Sequence, residues 1–383
     1  MKTSAVLFTR HREPHPALPA YRISMDLHGV FAKIAARERL DFSEALAVYE
    51  GASLHELGHL AHSIRMEKNP HSIVTYVVDR NINYSNICVC GCRFCAFFRP
   101  PGHPEGTILS REALFTKIEE TLSLGGTQIL MQGGHHPDLP LSYYEDMLRA
   151  IKGTFPIHIH AFSPPEIVHF SKLEGTDVAT VIARLRKAGL DSIPGGGAEI
   201  LVDRVRSRVS PRKCSTAEWL GVMEEAHRQG LKTTATMMFG HEEEPGDRLE
   251  HLFALRELQD RTGGFTAFIP WAFQPANTAI DRPAETSVSY LRLLAVSRLV
   301  LDNFRNIQAS WVTMGPKVAQ LALHFGANDF GSTMIEENVV AAAGVHFRLS
   351  VQQIRRIIEA AGFKPRQRTM DYQPVEETNR DGD

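Results

Sequence analysis

From residue 73 to residue 365 this chain alternates strand-like with helix-like runs, and few folds accept that order. Candidate strands cover 73–78, 128–131, 158–162, 191–193, 233–239, 265–270, 308–312 and 329–332. Amphipathic helical patterns lie between most of them, at 111–124, 143–152, 178–187, 216–228 and 284–305. Such alternation implies parallel strands joined by right-handed crossovers. Eight units of this kind predict an α/β fold, a closed (β/α)8 TIM-type barrel. Polar, glycine-rich runs follow the strands: Gln132-Gly-Gly-His-His136, Ser163-Pro-Pro-Glu166, Pro194-Gly-Gly-Gly-Ala-Glu199, Gly240-His241, Gln274-Pro275 and Met314-Gly315. They mark the C-terminal ends of the strands, where barrels place their active sites.

Outside the barrel, residues 1–24 are rich in Pro, His and Arg and read as a disordered lead-in. Residues 25–72 read as a helical N-terminal extension. Asp41-Phe-Ser-Glu44 forms a capping-box pattern there, with Ala45, Leu46 and Tyr49 on one face. The polar stretch 366–383 reads as a flexible tail.

Composition narrows the functional class. The 383 residues carry a net charge of −2, so no basic excess points to nucleic acid or to anionic lipid. No apolar run is long enough to span a bilayer, and the N-terminal apolar stretch is too short for a signal peptide. Four of the five cysteines fall within eight residues, in Asn86-Ile-Cys-Val-Cys-Gly-Cys-Arg-Phe-Cys-Ala-Phe-Phe-Arg99. That is a poor disulfide framework and suits a metal site in a reducing cytoplasm.

Cys88, Cys92 and Cys95 follow a C-x3-C-x2-C spacing. A structural zinc wants four ligands, and a four-iron cluster wants one per iron. Three thiolates leave one iron open to a small molecule. Cys90 falls between the first two ligands, and in a locally extended loop its side chain points away from theirs. Cys214 stands alone, as a buried small residue.

A second pattern competes with the first. His55-Glu-Leu-Gly-His59 matches H-E-x-x-H, with both histidines on one helical face and Glu56 between them. It would make the chain a zinc hydrolase. The extended form needs a glycine and a third histidine, and His62 and Arg65 stand at those places. Gly58 also weakens the helix. A histidine-rich surface helix is the better reading.

The cysteine spacing, with Phe94 just before the last ligand, resembles the radical S-adenosylmethionine (SAM) superfamily. Within it, the runs Asn81–Cys88, Cys95–Arg99, Gly126–Asp138, His158–Glu166, Gly189–Leu201, Thr233–His241 and Gly264–Pro275 resemble the cyclic dehypoxanthine futalosine synthases. Aminofutalosine synthases and the deazaflavin FO synthase subunits share the cysteine motif and the barrel, and are the alternative reading. The resemblance implies a [4Fe–4S] cluster on Cys88, Cys92 and Cys95, with SAM on the fourth iron through its amino and carboxylate groups. It implies a small-molecule substrate, dehypoxanthine futalosine, cyclised through a 5′-deoxyadenosyl radical in menaquinone biosynthesis. It also implies a reducing electron donor such as flavodoxin or ferredoxin.

Further site residues follow. Gln132, Gly133 and Gly134 stand where the superfamily has a glycine-rich segment, and glycine lets the backbone approach the methionine amine. Glu199 is a candidate acceptor for the SAM amine or ribose hydroxyls. Arg204, Arg206 and Arg208 cannot share one helix face, and Arg206 is the candidate to pair the SAM carboxylate through a bidentate fork. Phe97 is expected to line the adenine or cluster side. The substrate offers a benzoate and a sugar. His135, His136, His160, Glu166 and His241 are therefore candidates to contact it, with His136, Glu166 and His241 foremost as base or substrate groups.

Overall fold

The computed structural model describes residues 26–376. The expected lead-in at 1–24 and residues 377–383 of the expected tail lie outside the described residues. Ten strands run in chain order: β1 Ile73–Val77, β2 Asp79–Ile82, β3 Gln128–Met131, β4 His158–Ala161, β5 Ser192–Ile193, β6 Lys232–Phe239, β7 Phe265–Ala272, β8 Asn306–Ile307, β9 Asp329–Ser332 and β10 Lys364–Gln367. Strands β2 to β8 form one seven-stranded sheet in sequence order, parallel throughout. A second sheet has the order β10-β1-β9, also parallel.

The two sheets meet at a seam. Strand β1 runs into β2 across Val78, and one bridge, Gln308 to Asp329, joins the end of β8 to β9. Thr333 N then donates to Val77 O, and Ile335 N to Asp79 O. The expected eight-membered ring is thus seven continuously paired strands, with β9 completing the circle through β1.

Alternating burial explains the wall. Asp79 and Asn81 of β2 and Gln128 and Leu130 of β3 line the barrel interior, while their neighbours in sequence face the surrounding helices. Three helices precede the barrel: α1 Leu27–Ala35, α2 Phe42–Gly51 and α3 Leu54–Lys68. The Asp41–Glu44 capping box opens α2, and Ala45, Val48 and Tyr49 bury its inner face. α3 packs on the helix Ser287–Val300, so the extension is built into the outer layer.

Two expectations need correction. The strand placed at 308–312 is instead the two-residue β8 followed by a helical turn, Trp311–Met314. Tyr290 Oη accepts from Ser310 N, and Trp311 Nε1 donates to Ser332 O, which turns the chain inward. The run Ser163–Glu166 follows β4 as expected and opens a helix. Ser163 caps the helix Pro164–Glu174 through a capping box, with prolines in the first turn, where no backbone donor is missed. The expected tail also proves ordered over its described part. Lys364–Gln367 is β10, and Arg368 is buried against Asp329 at 2.5 and 3.0 Å. Arg368, Met370 and Tyr372 reach the barrel cavity from below.

Candidate active site

The loop after β2 carries the cysteines and is stitched to three other loops at the same mouth. Val89 N donates to His135 O, Gly134 N to Ser85 O, Arg93 N to Val209 O, and Ala279 N to Arg93 O, all at 2.7–3.1 Å. Cys88 N to Arg99 O and Arg99 N to Asn86 O close the loop on itself. Cys92 is buried, and Cys88 and Cys95 are partly exposed.

The electrostatics favour thiolates. A hydrogen bond from Cys90, aided by nearby backbone N–H groups and Lys213, pulls the Cys88 thiol down to about 5 against its own burial. The Cys92 thiol is lowered for the same first cause. Burial raises Cys95, opposed by the backbone N–H groups of Phe97 and Phe98. Cys90 itself is held protonated by its bonds to Cys88 and Cys92. Its Sγ lies 3.2 Å from His135 Nδ1, turned toward that ring.

The glycines after β3 are required by contact. A Cβ on Gly133 would stand 2.3 Å from the Tyr84 ring, and one on Gly134 would stand 2.1 Å from Ile87 O and 3.0 Å from Cys88 Cβ. The cysteine loop therefore lies flat against this turn. Gln132 lines the barrel cavity and packs on Gly196. Phe97 is half-buried within the cysteine loop.

Glu199 sits at φ +41°, a strained position for a side chain. Its Oε1 takes the Lys213 ammonium at 2.8 Å, and its Oε2 has no partner. Burial alone would discharge Lys213, but the charges of Cys92 and Glu199 outweigh it and hold the ammonium well above its ordinary range. Lys213 also stands 5.1 Å over the Phe94 ring. Lys213 was not singled out in the sequence.

Arg206, by contrast, is occupied. Its guanidinium donates to Gly197 O, Ala198 O and Cys214 O, leaving no fork for a carboxylate. It braces the glycine turn that presents Glu199. Lys213 is the cation whose charge acts on Cys92, while Arg212 Nε donates to Cys90 O at 3.0 Å.

A cavity of about 240 Å3 lies inside the barrel, lined by residues of its strands and of the turns that follow them. Among the five candidate substrate residues, only His160 lines it. Its Nδ1 meets Ser192 Oγ at 2.7 Å, and burial drives its pKa down to about 3, so the ring is neutral. His136 Nδ1 accepts from Asp138 N in its own turn. Glu166 is enclosed by four donors: Tyr84 Oη, Gly133 N, Ser163 N and Ser163 Oγ. It fixes the turn after β3 from behind. His241 Nδ1 accepts from Glu242 N, and its Nε2 donates to Met238 O. His136, Glu166 and His241 are thus bound up in loop structure rather than aimed at the cavity.

Residues 82–255 match the model of the radical SAM superfamily, and residues 262–380 match the CofH/MqnC C-terminal region. The cyclic dehypoxanthine futalosine synthase of Halalkalibacterium halodurans is 46% identical over 353 residues, covering 92% of this chain and 95% of that protein. The chain belongs to the cyclic dehypoxanthine futalosine synthase family of radical SAM enzymes. A second member, from Streptomyces coelicolor, is 43% identical over 91% of this chain and 88% of its own. A Methanosarcina barkeri protein named 5-amino-6-(D-ribitylamino)uracil–L-tyrosine 4-hydroxyphenyl transferase 1 is 43% identical over a shorter 79% of this chain and 83% of its own. Among solved structures, the hydrogenase maturase HydG from Carboxydothermus hydrogenoformans shares the fold at a TM-score of 0.72 and 18% identity, over 91% of this chain and 80% of that one. Methylornithine synthase does so at 0.67 and 18%, over 88% and 97%.

Radical SAM enzymes of this family use a [4Fe–4S] cluster and SAM. The cysteine loop suits that cofactor: three thiols on one loop, two of them held low, with backbone N–H groups directed at the third. Among the described residues no three His, Cys, Asp or Glu side chains converge on a single-ion site. A cluster takes its thiolates at separate irons and asks for no such point. The rival zinc motif fails on geometry. His55, Glu56 and His59 are exposed on α3, and Glu56 closes a capping box with Ser53.

Proposed function

We propose that the chain cyclises dehypoxanthine futalosine to cyclic dehypoxanthine futalosine, a step of menaquinone biosynthesis. The observation that carries this reading is the 46% identity to a synthase of that name across 92% of the chain. The barrel cavity, largely apolar with Asp79, Asn81, Gln128 and His160 among its lining, supports it.

Cys88, Cys92 and Cys95 would hold the cluster. When bound, the cluster and SAM supply a 5′-deoxyadenosyl radical that removes hydrogen from the substrate. Gly133 and Gly134 keep the second loop against the cysteines. Lys213 and the unpartnered Oε2 of Glu199 offer a cation and an acceptor, respectively, to an amino acid's charged groups. The barrel wall encloses the sugar and the benzoate, and neutral His160 contributes a ring nitrogen without a charge. A one-electron donor of the flavodoxin or ferredoxin class would reduce the cluster. The clustered thiols support a cytoplasmic location. No described helix is long and apolar enough to cross a membrane.

The test is anaerobic mass spectrometry of the reconstituted, reduced protein with SAM and dehypoxanthine futalosine. A product lighter by two hydrogens, with free 5′-deoxyadenosine, supports the cyclase. SAM cleavage with intact substrate overturns it in favour of the transferase-like relatives. A product that retains the adenosyl group indicates an aminofutalosine-type addition.

A further inference from the structure

Three side-chain oxygens of cavity-lining residues have no partner, the Tyr372 hydroxyl and two amide oxygens. Asn81 Oδ1 and Gln128 Oε1 are buried and unbonded, and both residues, each 5% exposed, line the cavity. Neighbouring carboxylates fix their orientation. Asn81 Nδ2 donates to Glu337 Oε2 at 2.8 Å, and Gln128 Nε2 donates to Asp79 Oδ2 at 2.7 Å. Turning either amide over would set its oxygen against a carboxylate, so in each the free group is the acceptor.

The carboxylates are held in turn. Glu337 Oε1 accepts from Val339 N and Val340 N at 2.7 and 2.8 Å, and Asp79 Oδ1 accepts from Ser332 Oγ. Asp79 stands opposite Gln128 in the β2–β3 register, and Asn81 lies two residues further on, so both amides share one wall. Two fixed acceptors on one wall call for a ligand with two donors, because a buried acceptor left unbonded keeps its full desolvation penalty.

The cyclase substrate has its hydroxyl donors on the sugar, whereas its benzoate only accepts. We propose that Asn81 and Gln128 are the specificity-determining acceptors for the substrate's sugar hydroxyls, oriented by Glu337 and Asp79. The assignment rests on the function proposed above.

Equilibrium binding to the reconstituted, unreduced protein tests it without turnover, using dehypoxanthine futalosine and analogues that each lack one sugar hydroxyl. Wild-type protein is expected to bind at least one analogue about tenfold more weakly than the intact substrate. Asn81→Leu and Gln128→Met each remove one acceptor at similar volume. In the variant lacking the matching acceptor, the intact substrate weakens about tenfold and the analogue loses nothing further. Binding of all analogues within about twofold of the substrate by wild-type protein overturns the assignment, and needs no variant to fold. A hydroxyl penalty undiminished in both variants overturns it too. Failure of wild-type protein to bind the intact substrate at all overturns the cyclase reading and this assignment together.

Discussion

The Glu199 carboxylate and the Lys213 ammonium meet at 2.8 Å, with side-chain exposures of 5% and 15%. Lys213 leans on two negative groups at once, this carboxylate and the Cys92 thiolate. Replacing it with methionine leaves Glu199 buried without a counter-charge, which costs about 3–5 kcal/mol. Lys213→Met is expected to lower the unfolding midpoint and to suppress formation of 5′-deoxyadenosine, measured by thermal denaturation and anaerobic SAM cleavage. Lys213→Arg should restore stability better than cleavage, because the guanidinium is a flat fork rather than a point charge.

Gly134 tests the contact between the turn after β3 and the cysteine loop. A methyl group there meets backbone at 2.1 Å, and backbone cannot swing aside like a flexible side chain. Gly134→Ala should displace the loop and sharply reduce iron bound per chain after reconstitution. Normal iron content would show that the loop does not need this contact.

Among the thiols, Cys90 is expected to behave differently from its neighbours. Its Sγ faces His135 and it is held as a thiol. Cys88→Ala, Cys92→Ala or Cys95→Ala should each abolish stable iron binding. Cys90→Ala should keep it at a stability cost of about 1 kcal/mol. Iron quantitation and the visible absorption of the reconstituted proteins separate the two classes.

Three histidines, His160 and His251 buried and His227 half-buried, set an acid limit on stability. Burial drives His160 and His251 down to about 3 and His227 down to about 4, from an ordinary 6.5. His251 Nδ1 accepts from Leu201 N, so protonation there also breaks a hydrogen bond. Below 6.5 the unfolded chain takes up protons that the folded chain refuses, so stability falls as pH drops from about 6.5 toward 4. At full effect the three steepen the loss by about 4 kcal/mol per pH unit. Denaturant titrations between pH 7 and 5 should show it, and His251→Gln should remove about one proton from the slope.

Arg368 tests the floor of the barrel. Its two bonds to fully buried Asp329 make it the counter-charge for an acid that water cannot reach. Arg368→Met is expected to cost about 3–5 kcal/mol in denaturant unfolding. Adding Asp329→Asn should recover most of that loss.

Much of the barrel was legible because its strands are apolar and its helices periodic. Gln128–Met131 and Asp329–Ser332 match their expected bounds, as does the helix Thr216–Arg228. Strand β2 was hidden because Asp79, Arg80 and Asn81 are polar yet all buried, which no alternation rule reveals. Strand β10 was hidden by lysine, proline and arginine at a sheet edge. The cysteine spacing pointed to its chemistry because three thiols so close have few other uses. The roles of His241, His136, Glu166 and Arg206 were not legible, since each is decided by which backbone group reaches it. Lys213, Asn81 and Gln128 gained their interest only from what surrounds them in space.

The seam of the barrel has a bearing on how the chain comes to be folded. Strand β1 has no sheet partner until β9 and β10 exist, with Thr75 meeting Asp329 and Ile73 meeting Lys364. Pairs this far apart in sequence form late and carry a large loop-closure entropy. During synthesis the wall from β2 to β8 is an open sheet with a bare edge, and the polar floor awaits Arg368. Such an edge invites pairing with other chains. The cofactor loop, hung from β2 directly beside that seam, gains its final frame only when nearly the whole chain is present.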